Sequence, residues 1–455
     1  MNRRYKTRLQ EMLAQAEVSP ALLDGLMERL EAFVEPYAAL LREPEQRRHA
    51  VEYLTGLLSK LEHKTSEGIA YLLDQERQGL QKFVGHVPWD HGPLLSLLRD
   101  EVAAELGERD GVLVFDPSAY PKKGRQSVGV ARQWCGRLGK VENCQVGVYM
   151  AYVSRRGHAL VNERLYLPKE WTRSRCRAAG VPPHVKFRTR HALALEMLDE
   201  AGSQLPHAWI AGDDELGRPG KFRENLRNRG ERYLFAVPAN TLVRDRQAPP
   251  PEYSGRGRHP QSPFVRLDRW CNALSNRDWT EIEVRDGEKG PLRIEAVKAA
   301  VQSRTETGGT GADEVLFITR ERQANGSYKR DYYLTNADPD TPLKELARVA
   351  KAAHRIEECF EQAKGEAGLA DYQVRNWMAW HHHQTLALLA AWFLTQETRR
   401  GKNPDARHDL TPNATTHRGH DRPSLPHPVS ASPVPTQYTL AAAQRTGEIP
   451  PSSRT

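Results

Sequence analysis

The sequence predicts an α/β fold: a mixed sheet with flanking helices, preceded by a helical segment, interrupted by a β-rich stretch and followed by a polar tail. Three observations carry this expectation. Apolar residues recur at three- and four-residue steps through the first hundred positions, the period of helices that bury one face. From Gly111 onward, short apolar runs follow one another and then alternate with helical patterns, the signature of neighbouring strands followed by strand–helix units. After Thr398, Pro, Ser, Thr and His replace large apolar residues, and such a composition cannot offset its own ordering entropy.

Taken in order, ALLDGLMERLEAFVEPYAALL and AVEYLTGLLSKLE read as the first two helices. Ser66 opens a third, running through IAYLLDQERQGLQKFV, and PLLSLLRDEVAAELG supplies a fourth. GVLVFD is a short apolar run ending in an acid, which suits a buried strand. QVGVYMAYVS and HALVNERLYLP follow as strands, then helix RHALALEMLDEA, strand HAWIAGDD, helix KFRENLRNRG and strand RYLFAVP. Between about 239 and 340 the pattern is β-rich. A Pro/Gly linker carries Arg256 and Arg258, strands TEIEVRDG and LRIEAVKAAV come next, and VLFITR and YKRDYYLTN flank the turn Asn325-Gly326. Thr341 and Pro342 then suit the start of one long helix through ELARVAKAAHRIEECFEQAK. A second helix, YQVRNWMAWHHHQTLALLAAWFL, is apolar enough to be largely buried. The expected organisation is a helical segment over 1–105, a core over 106–238 and 341–397, a β-rich insertion over 239–340 and a disordered tail over 398–455.

The chain has 455 residues and a formal net charge of +8. The length suits two or three domains, and the charge suits a polyanionic partner or simple solubility. No apolar run is long enough for a membrane span, and the basic start lacks the apolar core of a secretion signal. The five cysteines are scattered without metal-site spacing and read as small buried hydrophobes in a reducing cytoplasm.

Three acids stand out by position. Asp116 ends the first predicted strand, Asp213 ends a later one, and Glu357 lies on the helix after the insertion. Carboxylates converging from strand ends and a packed helix make an oxygen cage suited to Mg²⁺ or Mn²⁺, and two such ions can serve phosphodiester chemistry. Each acid also has a plain structural reading: Asp116-Pro117 as a turn, Asp213 at a helix start, Glu357 as one surface charge among several. Lys122, Lys123, Arg125, Arg132, Arg137 and Lys140 crowd the segment after Asp116, as a DNA-backbone contact or a solvated hairpin. The run His381-His382-His383 reads as structural, because consecutive helical residues diverge by about 100° and cannot chelate one ion.

The words around the acids add a resemblance. VLVFDPSAYPKKGRQSVGVARQWCGRLGKVENCQVGVYMAYVS is similar to the first-aspartate region of bacterial insertion-sequence DDE transposases. RLYLPKEW resembles a strand-and-turn signature of that group, HAWIAGDDELGRPGKFRENL its second-aspartate region, and RIEECFEQAKGEAGLADYQVRNWMAWHHHQTLALLAAWFL its third-acid region. Leu216 stands where the group carries tyrosine, and Ala353 where it carries arginine. The resemblance implies a ribonuclease-H-like fold, with the β-rich insertion before the glutamate. It also implies Asp116, Asp213 and Glu357 as catalytic ligands of two Mg²⁺ or Mn²⁺ ions. The activity it implies is cleavage at transposon ends and transfer of the 3′-hydroxyl to target DNA. Lys364, two helical turns after Glu357 and on its face, would contact a phosphate, alongside Lys122, Lys123, Arg132, Arg256 and Arg258. The implied partner is double-stranded DNA, both inverted-repeat ends and target, bound by a homodimer in the bacterial cytoplasm at the nucleoid. The 1–105 segment would help bind those ends. The alternatives are an inactive DNA-binding relic and a nuclease without strand transfer.

Overall fold

The computed structural model describes residues 25–257, 259–285, 292–323 and 325–402. Arg258 and residues 403–455 therefore lie outside the described residues, as does the chain before Gly25; residues 398–402, expected in the disordered tail over 398–455, instead belong to the last helix.

Among the described residues, five helices come first: α1 (Leu26–Ala39), α2 (Pro44–Leu57), α3 (Ser66–Leu72), α4 (Arg77–Gly85) and α5 (Gly92–Leu106). Thr65 caps α3 by accepting from the Gly68 N–H at 3.2 Å. The single helix expected from Ser66 is two, because Asp74 turns the chain at φ 52, a conformation no helix continues through.

The core sheet then forms from β1 (Val112–Pro121), β2 (Ala131–Cys135), β3 (Lys140–Ser154), β4 (Gly157–Tyr166), β5 (Trp209–Gly212) and β6 (Tyr233–Ala236). β1, β3 and β4 make an antiparallel meander, while β5 lies parallel to β1 and β6 parallel to β5. The spatial order β4-β3-β1-β5-β6, with α7 (Arg190–Ala201) crossing over before β5 and α9 (Gly220–Asn228) before β6, is a ribonuclease-H-like arrangement. The sequence reading ended the first strand at Asp116. In the structure β1 continues through Pro117 to Pro121. Beyond Phe115 it pairs with β3 alone, and a strand with an open side tolerates a residue lacking N–H.

The residues after β6 extend the same sheet. β7 (Leu242–Asp245), β8 (Val265–Arg266), β9 (Thr280–Arg285), β10 (Leu292–Arg304), β11 (Thr310–Arg322) and β12 (Tyr328–Thr335) follow, with α10 (Leu267–Asn272) among them. β12 pairs antiparallel with β6, giving twelve strands in one sheet. These strands bury a second apolar cluster including Val243, Leu267, Trp279, Val301 and Ile318. A buried Arg223–Glu314 pair at 2.8 Å joins α9 to β11, and Ser303 and Tyr233 both hydrogen-bond the same carboxylate.

The one long helix expected after the insertion is also two: α11 (Leu343–Ala353) and α12 (Arg355–Gly365), broken at His354. Pro342 is the residue preceding α11, and no side-chain cap from Thr341 forms. The final helix α13 (Trp377–Lys402) is buried along most of its length. It packs against β4 and the N-terminal helices, so helices from both ends of the described chain share one apolar core with the sheet. Among the described residues no helix is long and apolar enough to cross a membrane.

Candidate active site

The sheet register brings two of the acids together. β1 and β5 are parallel, and their last paired residues are Phe115 and Gly212. Asp116 and Asp213 are the next residues on each strand, so they sit side by side, about one strand spacing apart (~4.8 Å). Gly212 permits this closeness: a Cβ there would lie 2.8 Å from the Phe115 carbonyl oxygen. Glu357 arrives in the first turn of α12. All three acids line one cavity of about 360 Å³, with Asp214, His354, Arg330 and Asp331 on its walls.

Asp213 also caps a helix. Its Oδ1 accepts from the Leu216 N–H at 3.1 Å, which fixes the carboxylate at the start of the short helix α8 (Asp214–Gly217). The structural and catalytic readings of this residue are thus compatible. Gly217 is forced by packing, because a Cβ would lie 2.1 Å from the Ala236 carbonyl oxygen. Leu216, in the place of the usual tyrosine, is fully buried.

The electrostatics are those of a carboxylate cluster that Lys364 offsets only in small part. The Asp116 carboxyl is held well above the ordinary range, first by burial and then by Asp213, Glu215 and Glu357. Asp213 is exposed to solvent. Its carboxyl is nevertheless pushed up to about 6 by the protein packed around it, with Glu215 and Asp214 adding to the shift and the Leu216 N–H opposing it. A cation would relieve both. The donors are all oxygen, which suits a hard divalent ion.

Lys364 reaches the same place from two turns further along α12. Its Nζ donates to Ser118 Oγ at 2.7 Å, two residues beyond Asp116 on β1, and lies 4.8 Å from the centre of the Phe360 ring. Burial lowers its pKa while Asp116 raises it. Lys122 is placed differently: it is half-buried, donates to the Tyr372 carbonyl oxygen at 3.0 Å and sits over that ring. Lys123, Arg132 and Arg256 are exposed.

A basic groove was missed by the sequence reading. A depression of about 880 Å³ is lined by Arg155, Lys329, Lys344, Arg348, Lys351 and Arg355, against Glu345 and Glu358. His354 borders both this groove and the acid cavity. Lys344, Arg348, Lys351 and Arg355 fall at steps of four, three and four, one face of a helix. That spacing was a signal available in the sequence. Several of these bases are shared with neighbouring acids, among them Arg348 with Glu345, Lys351 with Glu321 and Arg355 with Glu358.

The three consecutive histidines go to three different surroundings, as their helical divergence requires. Both ring nitrogens of His382 meet backbone carbonyls, of Val84 and Trp89. His383 lies between the Tyr53 hydroxyl and the Gly368 carbonyl. His381 faces Glu163 at 3.0 Å.

Comparison with known proteins bears on the family. Residues 36–291 match the family model described as DDE superfamily endonuclease, a segment that holds Asp116 and Asp213 and ends before Glu357. The chain is 23% identical over 334 residues to a probable transposase for insertion sequence element IS701 from Microchaete diplosiphon, covering 72% of this chain and 77% of that one. Among solved structures, it aligns with a piggyBac transposase synaptic complex with hairpin DNA at 11% identity and a TM-score of 0.41, over 84% of this chain and 75% of that one. With the family model spanning more than half its length, the chain belongs to the DDE endonuclease superfamily, and within it resembles the transposases of bacterial insertion sequences.

Proposed function

We propose that the protein is an insertion-sequence transposase that cuts double-stranded DNA at the inverted-repeat ends of its element and joins the freed 3′-hydroxyl to target DNA. The observation that carries this reading is the adjacency of Asp116 and Asp213 where the parallel pairing of β1 and β5 ends, with Glu357 completing the same cavity. Asp116, Asp213 and Glu357 would hold two Mg²⁺ or Mn²⁺ ions, which supply Lewis-acid stabilisation of the attacking and leaving oxygens when bound. The chain's own contribution is positioning. The register fixes two carboxylates, the Leu216 N–H orients one of them, and Lys364 brings a cation to the side of Asp116 where a phosphate enters. DNA backbone would run along the basic groove, past His354, into the acid cavity, with Lys123, Arg132, Arg256 and Arg258 as further contacts. Acting on two ends at once calls for a homodimer on DNA, and the N-terminal helices are the proposed end-binding segment.

The test is an assay with oligonucleotides bearing the element's own ends, read for both nicking and strand joining in Mn²⁺. Joined products support the transposase. Nicking without joining would assign a nuclease, and binding without either would assign a DNA-binding relic.

A further inference from the structure

A second cluster of ligating side chains lies away from the carboxylate cavity. His91 precedes α5, Glu163 sits on β4, and His381 sits on α13. One donor atom from each lies within 4.8 Å of the others, and among the described residues no other group of three His, Cys, Asp or Glu does this. The His91 and His381 rings face each other with centroids 4.9 Å apart. Glu163 is completely buried and His381 is 3% exposed.

What points to a ligand is an atom left over. Glu163 Oε1 meets His381 Nδ1 at 3.0 Å, yet Glu163 Oε2 is buried with no protein partner. A buried carboxylate oxygen loses hydration without compensation, and it offers the lone pair a cation accepts. His381 would ligate through Nδ1, the nitrogen that faces Glu163; its Nε2, also buried without a partner, points away from that ion. A cavity of about 460 Å³ opens beside them, lined by His91, His381, Arg164 and Leu95 among others. Arg164, Lys186 and Arg188 are the positive groups lining it, and Arg164 and Arg188 are answered by Glu200 and Glu196.

We propose that His91, Glu163 and His381 form a second metal site, independent of the carboxylate cavity, that takes a borderline divalent ion of the Zn²⁺ class. Two imidazoles and one carboxylate suit Zn²⁺ rather than Mg²⁺, and three protein ligands leave a fourth position for solvent from the cavity. Closing on an ion with bonds of about 2.0–2.1 Å requires the donors to draw in by roughly 1 Å. The protonation states favour this. Burial lowers His381 to about 3 and His91 to about 4, so both rings present neutral nitrogens. Burial also raises Glu163 to about 7, a cost that a bound cation would remove.

The site's position gives it a purpose. Asp116 pairs with Tyr149, and Tyr149 pairs with Glu163. These three residues form one row across neighbouring strands, roughly 10 Å from end to end. The Tyr149 hydroxyl donates to Gln384, three residues after His381 on α13. An ion here would pin the segment before α5, the sheet and the last helix together at the row that carries Asp116.

The experiment is calorimetric titration of ZnCl₂ into the full chain, stripped of metal by chelation and held in excess Mg²⁺ to fill oxygen sites. Wild type and Asp116→Asn should each bind one Zn²⁺ with equal affinity. His381→Ala should weaken binding by at least the ~10–100-fold that loss of a mere supporting partner brings. Because His381 is buried, His91→Asn is the second variant: it keeps a favoured helix-start residue at a partly exposed position and should show the same loss. Zn²⁺ binding unchanged in His91→Asn, binding lost in Asp116→Asn, or no binding by wild type would each overturn the proposal.

Discussion

Burying one carboxylate beside two others costs free energy that only a proton or a cation can offset. Asp116 and Asp213 both hold their carboxyls above the ordinary range, so the metal-free protein binds more protons folded than unfolded. The sign follows: stability present at acid pH is lost as pH rises from about 4, the unfolded value, through about 6 and above, where the folded groups ionise. Thermal melts in chelator should therefore show a Tm that falls over this window, and saturating Mn²⁺ should flatten the fall. Asp116→Asn should melt higher than wild type at pH 8 in chelator, with the gap closing toward pH 4. A lower Tm at pH 8 would mean that the carboxylate is already compensated. Lys364, bonded to Ser118 beside Asp116, belongs to the same argument. Lys364→Ala should weaken binding of end DNA and reduce the salt dependence of log K by about one unit of slope if it meets a phosphate. An unchanged slope would leave it a local partner of Ser118.

Elements place these residues, and here the sequence was legible in part. The apolar runs marked β1, β3, β5 and β6 because buried strands write their burial directly into composition. Strand ends and helix breaks were harder. β1 continues past Asp116-Pro117 because β3 still pairs with it, a tertiary fact that no local rule contains. The break at His354 falls inside a stretch whose apolar period runs on unbroken, so periodicity alone joined α11 to α12. The basic row Lys344, Arg348, Lys351 and Arg355 is legible as one helical face, but its place beside the acid cavity is not, because charge near Asp116 in sequence differs from charge near it in space. Gly217 shows the reverse case: it was matched as a motif residue, and packing supplies the reason. The α8 backbone touches β6 so closely that Gly217→Ala would press a Cβ against the Ala236 carbonyl. We expect it to destabilise the fold by about 1–3 kcal/mol and to impair cleavage by moving Asp213. Urea denaturation of the purified variant checks this, and wild-type stability would show that α8 can shift freely.

At the scale of the molecule, the insertion and the core are one sheet, joined by β6–β12 pairing and by the buried Arg223–Glu314 pair. Removing one partner of such a pair strands the other charge. Glu314→Gln should therefore cost about 3–5 kcal/mol, whereas replacing both by apolar residues of similar volume should cost far less; a double-mutant cycle measures the difference. On the proposed reading, the same architecture separates binding from chemistry. Bases line the groove and the exposed segment after Asp116, while the acids share the cavity where the β1–β5 pairing ends and α12 begins. The most direct test of the account is a paired gel-shift and Mn²⁺-supported cleavage assay on wild type and Asp116→Asn with end-bearing DNA. Divalent-ion stabilisation is worth several kcal/mol, at 1.36 kcal/mol per tenfold in rate. Asp116→Asn should thus lower nicking and joining by on the order of 10³-fold or more while binding DNA as tightly as wild type. Cleavage by Asp116→Asn at near wild-type rate would contradict the assignment of Asp116, Asp213 and Glu357 as the catalytic acids.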